Sequence, residues 1–226
     1  MTSLINGRHE LVITSSYPVD PKFKELVVVV LAAGRGERFL ASGGSTHKLQ
    51  AMLQGKKVLQ HVIDTVEEAG LPLHVVYSNT VSCPTGMGDS IAQGVRATSQ
   101  ANGWLILPGD MPLLQSKTLR AVALRLLEAP MCAAVQPVWN GQTGHPVGFS
   151  ARCADALKAL NGDFGARSVL QTLRCQGLLE QLPVNDPGIV LDVDTVSDLV
   201  NLEKIWLSCQ GSCYSISKVS RQTPHH

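Results

Sequence analysis

The chain has 226 residues, of which 44% are hydrophobic, so its size and composition favour a single domain with a substantial core. Its 19 basic and 18 acidic residues leave a formal net charge of +1, which argues against the broad basic surface of a nucleic-acid-binding protein. No apolar run reaches the length needed to cross a bilayer, so we expect no membrane partner. The six cysteines are scattered and form no CxxC pair, and we expect a cytoplasmic protein with free thiols.

Strands and helices are predicted to alternate along the chain. The run from Leu26 to Leu31 is apolar without a break, which is typical of a strand buried on both faces of a parallel sheet. Val58–Ala69 has apolar residues at helical spacing, and Gly70 follows as a common helix stop signal. Further strands are predicted at Leu73–Tyr77, Trp104–Leu107, Met131–Val138, His145–Phe149 and Ile189–Val193. Further helices are predicted at Asp89–Ala97, Thr118–Glu128, Cys153–Leu160, Arg167–Leu173 and Val196–Leu207.

This alternation predicts an α/β fold, in which a single domain has three α/β/α layers and a mainly parallel sheet. We expect residues 1–25 to be an N-terminal extension, residues 26–207 to form the domain and residues 208–226 to be a flexible tail. The tail is assigned because the periodic pattern fades after Ser208.

The loop after the first predicted strand has the composition of a phosphate-binding loop. The small residues of Ala32–Gly36 let backbone N–H groups approach an anion closely, and Arg35, Arg38 and Lys48 add positive charge. A dinucleotide fingerprint is disfavoured because Phe39 stands where GxGxxG needs its third glycine. The chain also lacks a P-loop motif. The loop is therefore either a nucleotide site of another kind or an ordinary glycine-rich turn.

Carboxylates follow two of the predicted strands. Asp110 lies between Pro108 and Pro112 at the carboxyl end of a predicted central strand, where open α/β sheets bind ligands. Beside a triphosphate, a fixed carboxylate is a natural Mg²⁺ ligand, although Asp110 is equally suited to a turn. Alternation along the last predicted strand places Asp192 and Asp194 on the same face, and Asp194 or its neighbour also suits a helix cap.

Three further segments are candidates for substrate contact. His145, in Gly-His-Pro, either contacts an acceptor substrate or simply begins a strand. The turn Gly162–Gly165 precedes a helix and can bind an anion, and Arg167 either faces the substrate or pairs with Asp163. Gly86–Ser90 opens another helix, whose amides face either a base or an acceptor unless the segment is only a capped turn.

Together these segments resemble the nucleotidyltransferases of molybdenum-cofactor biosynthesis, and most closely the cytidylyltransferases that make molybdopterin cytosine dinucleotide. The resemblance extends from about Val27 to Leu207 and implies a Rossmann-like, glycosyltransferase-A-like nucleotidyltransferase fold. The segments that carry it are LAAGRGERF at Leu31–Phe39, Lys48, GMGDS at Gly86–Ser90, PGDMP at Pro108–Pro112, GHPVGF at Gly144–Phe149, GDFGAR at Gly162–Arg167 and DVDTVSDL at Asp192–Leu199.

The resemblance also implies roles for individual residues. The catalytic residues would be Arg35, Lys48 and Asp110. Mg²⁺ would be held by Asp110 with Asp192 or Asp194, and His145, Asp163 and Arg167 would lie toward the pterin acceptor. The nucleotide would be bound by Leu31, Ala32, Ala33, Gly34, Arg35, Gly36, Lys48, Gly88 and Asp110.

The implied reaction transfers CMP from CTP to the phosphate of molybdopterin, and a molybdoenzyme or chaperone would be a transient partner. Cytosine is implied because the guanylyl branch has glycine where this chain has Ala33, whose methyl group would narrow a purine pocket. One departure is the Leu40–His47 segment, which separates Lys48 from the Arg-Phe pair more widely than is usual in the family. The alternatives are transfer from GTP, UTP or ATP to another phosphorylated acceptor such as a sugar phosphate, and a non-catalytic protein that binds the pterin cofactor.

Overall fold

The computed structural model describes residues 18–77 and 86–216. Its main sheet has seven strands, and their bounds are β1 Leu26–Ala32, β4 Leu73–Tyr77, β5 Gly103–Pro108, β6 Ala134–Trp139, β7 Gln142–Thr143, β8 Val147–Ser150 and β9 Leu179–Pro183. The strand order is β4-β1-β5-β8-β6-β7, and β9 pairs in parallel with β6. Strands β2 and β3, at Met52–Leu53 and Lys56–Lys57, form a separate antiparallel hairpin.

Helices cover both faces of the sheet. Their bounds are α1 Glu37–Ala41, α2 Val58–Glu68, α3 Met87–Ala97, α4 Ser116–Glu128, α5 Ala154–Lys158, α6 Arg167–Cys175 and α7 Val196–Ile216. Among the described residues, no helix is long and apolar enough to cross a membrane.

Strand β1 shows why the sheet has a core on each face. Val28 and Val30 pack into a core with α2 and α4, whereas Val29 packs into a second core with α3, α5 and α6. Because successive side chains of a strand point to opposite faces, an uninterrupted apolar run is what such a central strand requires. The predicted three-layer α/β fold with a mostly parallel sheet is confirmed.

The parallel pairing of β1 with β5 sets up the site. Leu31 pairs with Pro108, so the glycine-rich loop and the turn that carries Asp110 leave the sheet side by side. Gly109 N–H donates to Leu31 O at 2.9 Å, and a Cβ at Gly109 would lie 2.9 Å from that same oxygen. A side chain at Gly109 would therefore push the two turns apart.

The predicted strand at Ile189–Val193 is wrong. Pro187–Val190 forms a 3-10 helix that is capped by Asp186, and the chain then continues without pairing in the sheet. Ile189 and Val193 are nonetheless fully buried, which explains why the run is apolar. An apolar run alone does not distinguish a strand from another buried segment.

Several boundaries also differ from the prediction. Helix α3 begins at Met87, and β8 begins at Val147 after a cis His145–Pro146 peptide bond. The predicted helix at Cys153–Leu160 is a 3-10 turn followed by the short α5. Strands β7 and β9 and the β2–β3 hairpin were not predicted.

The predicted extension and tail are described only in part. Phe23, within the expected N-terminal extension, is fully buried in the core, and Asp20 N–H donates to Gly70 O at 2.9 Å. Helix α7 continues to Ile216 instead of ending at Leu207. Residues 1–17, 78–85 and 217–226 lie outside the described residues.

Asp186 ties the 3-10 helix to the start of α4. This carboxylate has no exposed surface and accepts hydrogen bonds from Thr118 Oγ1 at 2.6 Å, from Gln115 N–H at 3.0 Å and from Gly188 N–H at 2.9 Å. It thereby anchors the segment that leads to Asp192 and Asp194.

We predict that Asp186→Ala lowers the free energy of unfolding by ~3 kcal/mol, because it leaves several donors without an acceptor. Urea unfolding followed by circular dichroism measures this change. The control is Asp155→Ala, which removes an exposed carboxylate from α5 and should change stability by less than about 0.5 kcal/mol. Equal effects of the two substitutions would contradict the anchoring role.

Candidate active site

Two adjoining cavities lie beyond the carboxyl ends of β1 and β5. The first has a volume of about 570 Å³ and is lined by Leu31, Ala33, Gly34, Arg35, Gly36, Glu37, Arg38, Lys48, Leu49, Gly86, Met87, Ser90, Pro108, Asp110, Asp163 and Asp194. The second has a volume of about 740 Å³ and is lined by Arg38, Lys48, Met87, Pro108, Asp110, Met111, Gly141, Gln142, Thr143, His145, Ile189, Val190, Asp192 and Asp194. Arg38, Lys48, Asp110 and Asp194 line both, so these charged groups lie at the junction.

Three carboxylates meet at this junction. Asp110, Asp192 and Asp194 each offer an oxygen atom, and these three atoms lie within 4.8 Å of one another. The structure therefore brings together the three residues that the sequence predicts as metal ligands, although the last two reach the site on an unpaired segment and not on a strand. Val193 N–H donates to Asp110 O at 2.9 Å and fixes the two segments together.

Lys48 is the counter-charge of the cluster. Its Nζ lies 2.6 Å from Asp110 Oδ2 and 2.7 Å from Asp194 Oδ1, and its side chain is only 13% exposed. Arg38, which the sequence marks only as an added positive charge, lies with its Nη1 2.8 Å from Asp194 Oδ2. The second carboxylate oxygen of Asp110, Oδ1, is buried and has no hydrogen-bond partner among the described residues.

The pKa values of these groups follow from their neighbours. Burial acts to lower the pKa of the Lys48 ammonium, but Asp110 and Asp194 outweigh it and raise that pKa above its usual value. The hydrogen bond from Lys48 lowers the pKa of Asp194. Desolvation and the neighbouring carboxylates of Asp110 and Asp194 raise the pKa of Asp192. Lys48 is therefore held as a cation.

The three oxygen donors suit a hard divalent cation such as Mg²⁺, which prefers carboxylate oxygens. Asp110 Oδ1 supports this fit, because a buried carboxylate oxygen without a partner is costly unless a ligand satisfies it.

His47 holds the lysine in place, a role that the sequence did not reveal. Its Nδ1 accepts from Leu49 N–H at 3.3 Å, and its Nε2 lies 2.6 Å from Gly34 O. A Cβ at Gly36 would lie 3.2 Å from the His47 ring, so the glycine-rich loop and the lysine turn are in contact. The only sequence signal for this role is that His47 precedes Lys48.

Helix α7 is capped by Thr195 and Asp198, and not by the side chains of the carboxylate cluster. Thr195 Oγ1 accepts from Asp198 N–H at 3.2 Å, and Asp198 Oδ2 accepts from Thr195 N–H at 2.7 Å. This reciprocal pair satisfies the helix start and leaves the side chain of Asp194 for Lys48 and Arg38.

The remaining predicted site residues do not all line the same cavity. His145 lines the second cavity, whereas Asp163 lines only the first, so the structure does not place these two acceptor candidates together. Among the described residues, Ala32, Gly88 and Arg167 line neither cavity, and no ion pair joins Arg167 to Asp163. Arg35 lines the first cavity and pairs with Glu37 at 3.0 Å.

His145 is a neutral side chain beside the cluster. Burial lowers the pKa of its imidazole below the usual value, and within the part of the chain that the structure describes its buried Nδ1 has no hydrogen-bond partner. Its backbone N–H donates to Ile189 O at 2.9 Å. A buried, unpaired ring nitrogen in the wall of the second cavity is suited to binding a polar ligand group.

Asp89 joins the segment Gly86–Ser90 to the turn Gly162–Gly165 by hydrogen bonds. The sequence did not predict this role. Asp89 Oδ2 accepts from Gly86 N–H at 3.0 Å and from Gly162 N–H at 3.1 Å, and Gly88 N–H donates to Gly162 O at 2.7 Å. A Cβ at Gly88 would lie 2.7 Å from Asn161 O. Gly88 therefore serves close packing, and its N–H is already used.

Comparison with known proteins agrees with this architecture. A family model described as a MobA-like NTP transferase domain matches residues 28–178. Purine catabolism protein PucB of Bacillus subtilis is 31% identical over 199 residues, which cover 75% of this chain and 92% of PucB. The bifunctional protein GlmU of Xanthomonas euvesicatoria is 31% identical over 150 residues, which cover 58% of this chain but only 31% of GlmU.

Solved structures share the fold at lower identity. A nucleotidyl transferase from Methanothermobacter has a TM-score of 0.66 and 21% identity, over 82% of this chain and 99% of that chain. Rv0371c of Mycobacterium tuberculosis in complex with manganese has a TM-score of 0.58 and 23% identity, over 80% and 98%. Molybdopterin-guanine dinucleotide biosynthesis protein A of Archaeoglobus fulgidus has a TM-score of 0.54 and 18% identity, over 80% and 99%.

We predict that Asp110→Asn weakens Mn²⁺ binding at least about tenfold, because it removes one charged oxygen donor from the cluster. Electron paramagnetic resonance of free Mn²⁺ measures the affinity, with Asp155→Asn as the matched control. Unchanged affinity in Asp110→Asn would mean that the cation binds elsewhere.

Proposed function

Since the chain belongs to the MobA-like NTP transferase family, we propose that it is a Mg²⁺-dependent nucleotidyltransferase that transfers CMP from CTP to the phosphate of a molybdopterin-type cofactor. The observation that carries the proposal is the junction of two cavities, where three carboxylates meet the buried ammonium of Lys48. One cavity would hold the nucleotide and the other the acceptor, with the reacting atoms at the charged groups that both share.

The first cavity is the better candidate for the nucleotide. It contains the backbone of the glycine-rich loop and the side chains of Arg35, Arg38 and Lys48, which together suit a triphosphate. The second cavity contains His145 and the segment Gly141–Thr143, and we assign it to the acceptor.

In the proposed reaction an oxygen of the acceptor phosphate attacks the α-phosphorus of CTP. A new P–O bond forms there as the bond to the β-phosphate breaks, and pyrophosphate leaves. The acceptor oxygen is already anionic near neutral pH, so no general base is required. The protein would act by holding the two substrates in line and by neutralising charge.

Lys48 and Arg38 would supply most of that neutralisation. Lys48 remains charged because Asp110 and Asp194 raise the pKa of its ammonium, and it lies where the two cavities meet. Arg35, which has 58% of its side-chain surface accessible and pairs with Glu37, would bind the outer phosphates.

Mg²⁺ would be held by Asp110, Asp192 and Asp194. When bound, it would supply Lewis-acid stabilisation of the phosphate charge. These carboxylates would otherwise repel a triphosphate.

The preference for cytosine rests on Ala33, which lines the nucleotide cavity and is only 6% exposed. The guanylyl branch of the molybdenum-cofactor nucleotidyltransferases has glycine at this position. We propose that the methyl group of Ala33 leaves less space for a purine base than that glycine does.

We predict that Lys48→Met lowers kcat/KM for Mg²⁺-dependent pyrophosphate release about 10²- to 10³-fold, because one preorganised cation is lost from the reaction centre. The same variant should bind Mn²⁺ at least as tightly as the wild type, since the ammonium no longer competes for the carboxylates. A loss of Mn²⁺ binding in this variant would instead indicate a damaged fold.

The acceptor is tested separately, by measuring pyrophosphate release from CTP with molybdopterin and with a panel of sugar phosphates. Release with molybdopterin alone supports the proposal. Release only with a sugar phosphate would assign the chain to another nucleotidyltransferase activity. Retention of the pterin without any pyrophosphate release would favour a binding protein.

We predict that Ala33→Gly lowers the preference for CTP over GTP roughly tenfold or more, because a single methyl group in a tight pocket has an effect of this size. Competition of the two nucleotides in the pyrophosphate assay measures the ratio. Ala32→Gly is the control, because Ala32 does not line the cavity. An unchanged ratio in Ala33→Gly would remove the basis of the cytosine assignment.

A further inference from the structure

Asp163 is a carboxylate in the nucleotide cavity that is separate from the others there, since Asp110 and Asp194 belong to the carboxylate cluster and Glu37 pairs with Arg35. It lines the nucleotide cavity together with Arg35, Arg38 and Lys48, and it does not line the acceptor cavity. Its side chain is exposed, and among the described residues its carboxylate has no hydrogen bond or ion pair. The proposed function leaves this carboxylate without a role.

We infer that Asp163 selects the base of the donor nucleotide by accepting a hydrogen bond from an exocyclic amino group. This inference rests on the proposed nucleotide site and adds a specificity-determining residue to it. It also assigns Asp163 to the donor nucleotide, whereas the family resemblance implied a place near the acceptor.

Electrostatics assigns the carboxylate to the uncharged part of the nucleotide. A triphosphate placed against Asp163 would bring like charges together, which is unfavourable. Arg35, Arg38 and Lys48 would bind the phosphates. The carboxylate of Asp163 would therefore contact the nucleoside.

The corner around Asp163 is rigid. A Cβ at Gly86 would lie 2.2 Å from Gly162 O and 2.7 Å from Asp163 Oδ1, so the two segments are in close contact. Asp89 accepts hydrogen bonds from both segments. The carboxylate of Asp163 is therefore carried on a loop that is fixed against the start of α3.

This corner offers acceptors more readily than donors. The N–H groups of Gly86, Gly88 and Gly162 all donate within the fold, and Ser90 Oγ donates to Gly86 O at 3.1 Å. The exposed side chain of Met87 adds an apolar wall beside them. A flat base with donors on its edge suits these surroundings.

Cytosine and uracil differ at that edge. Cytosine carries an amino group, which donates to a carboxylate, whereas uracil carries a carbonyl oxygen at the same position, which a carboxylate repels. Asp163 would therefore favour CTP over UTP, independently of the space that Ala33 leaves for a purine.

The test is calorimetric titration of the full chain with CTP, UTP and 2′-deoxy-CTP in the presence of Mg²⁺. We expect the wild type to bind CTP more tightly than UTP, and we expect Asp163→Asn to reduce that ratio about tenfold or more, because the carboxamide NH₂ can donate to uracil. Asp155→Asn should leave the ratio unchanged. Asp163→Ala should also reduce it, and melting curves confirm that each variant is folded.

Three results would overturn the inference. The first is a wild type that binds CTP and UTP equally, and the second is an Asp163→Asn variant that keeps the wild-type ratio. The third is a variant in which only the discrimination between CTP and 2′-deoxy-CTP falls, which would assign Asp163 to the ribose. Failure of the proposed reaction is separate, because it would appear as selective CTP binding without pyrophosphate release in the presence of the acceptor.

Discussion

Repulsion between carboxylates is the constraint on which the site depends. Asp110, Asp192 and Asp194 have oxygen atoms within 4.8 Å of one another, a separation at which like charges destabilise a fold unless cations balance them. Lys48 contacts two of the three and is largely shielded from water, so its charge acts with little screening. The glycine-rich loop, the lysine turn and the start of α7 all lie beside these paired charges.

The sequence predicted those parts of the fold that depend on residues close together in the chain. Strand β1 was predicted because both of its faces are buried, which requires an unbroken apolar run. The turn that carries Asp110 lies beside the glycine-rich loop because β1 and β5 are parallel, and the end of a parallel strand fixes where the next residues lie. Gly34 follows the end of β1, so the same parallel pairing fixes its position beside the turn of Asp110.

The contacts that the sequence did not predict join residues far apart in the chain. Arg38 meets Asp194 across 156 positions, and Asp89 binds Gly162 across 73. Neither pair leaves a periodic pattern, since a polar residue at the start of a helix looks the same whether it caps that helix alone or also binds a distant loop. The strand predicted at Ile189–Val193 failed for the opposite reason, because burial gave an apolar run that pairs with no strand.

The separation between Lys48 and Asp194, 146 positions along the chain, has a consequence for how the protein is made. During synthesis from the N-terminus, Lys48 and Asp110 leave the ribosome well before Asp192 and Asp194. The proposed cation site can therefore be complete only after the segment that carries Asp192 and Asp194 has been synthesised.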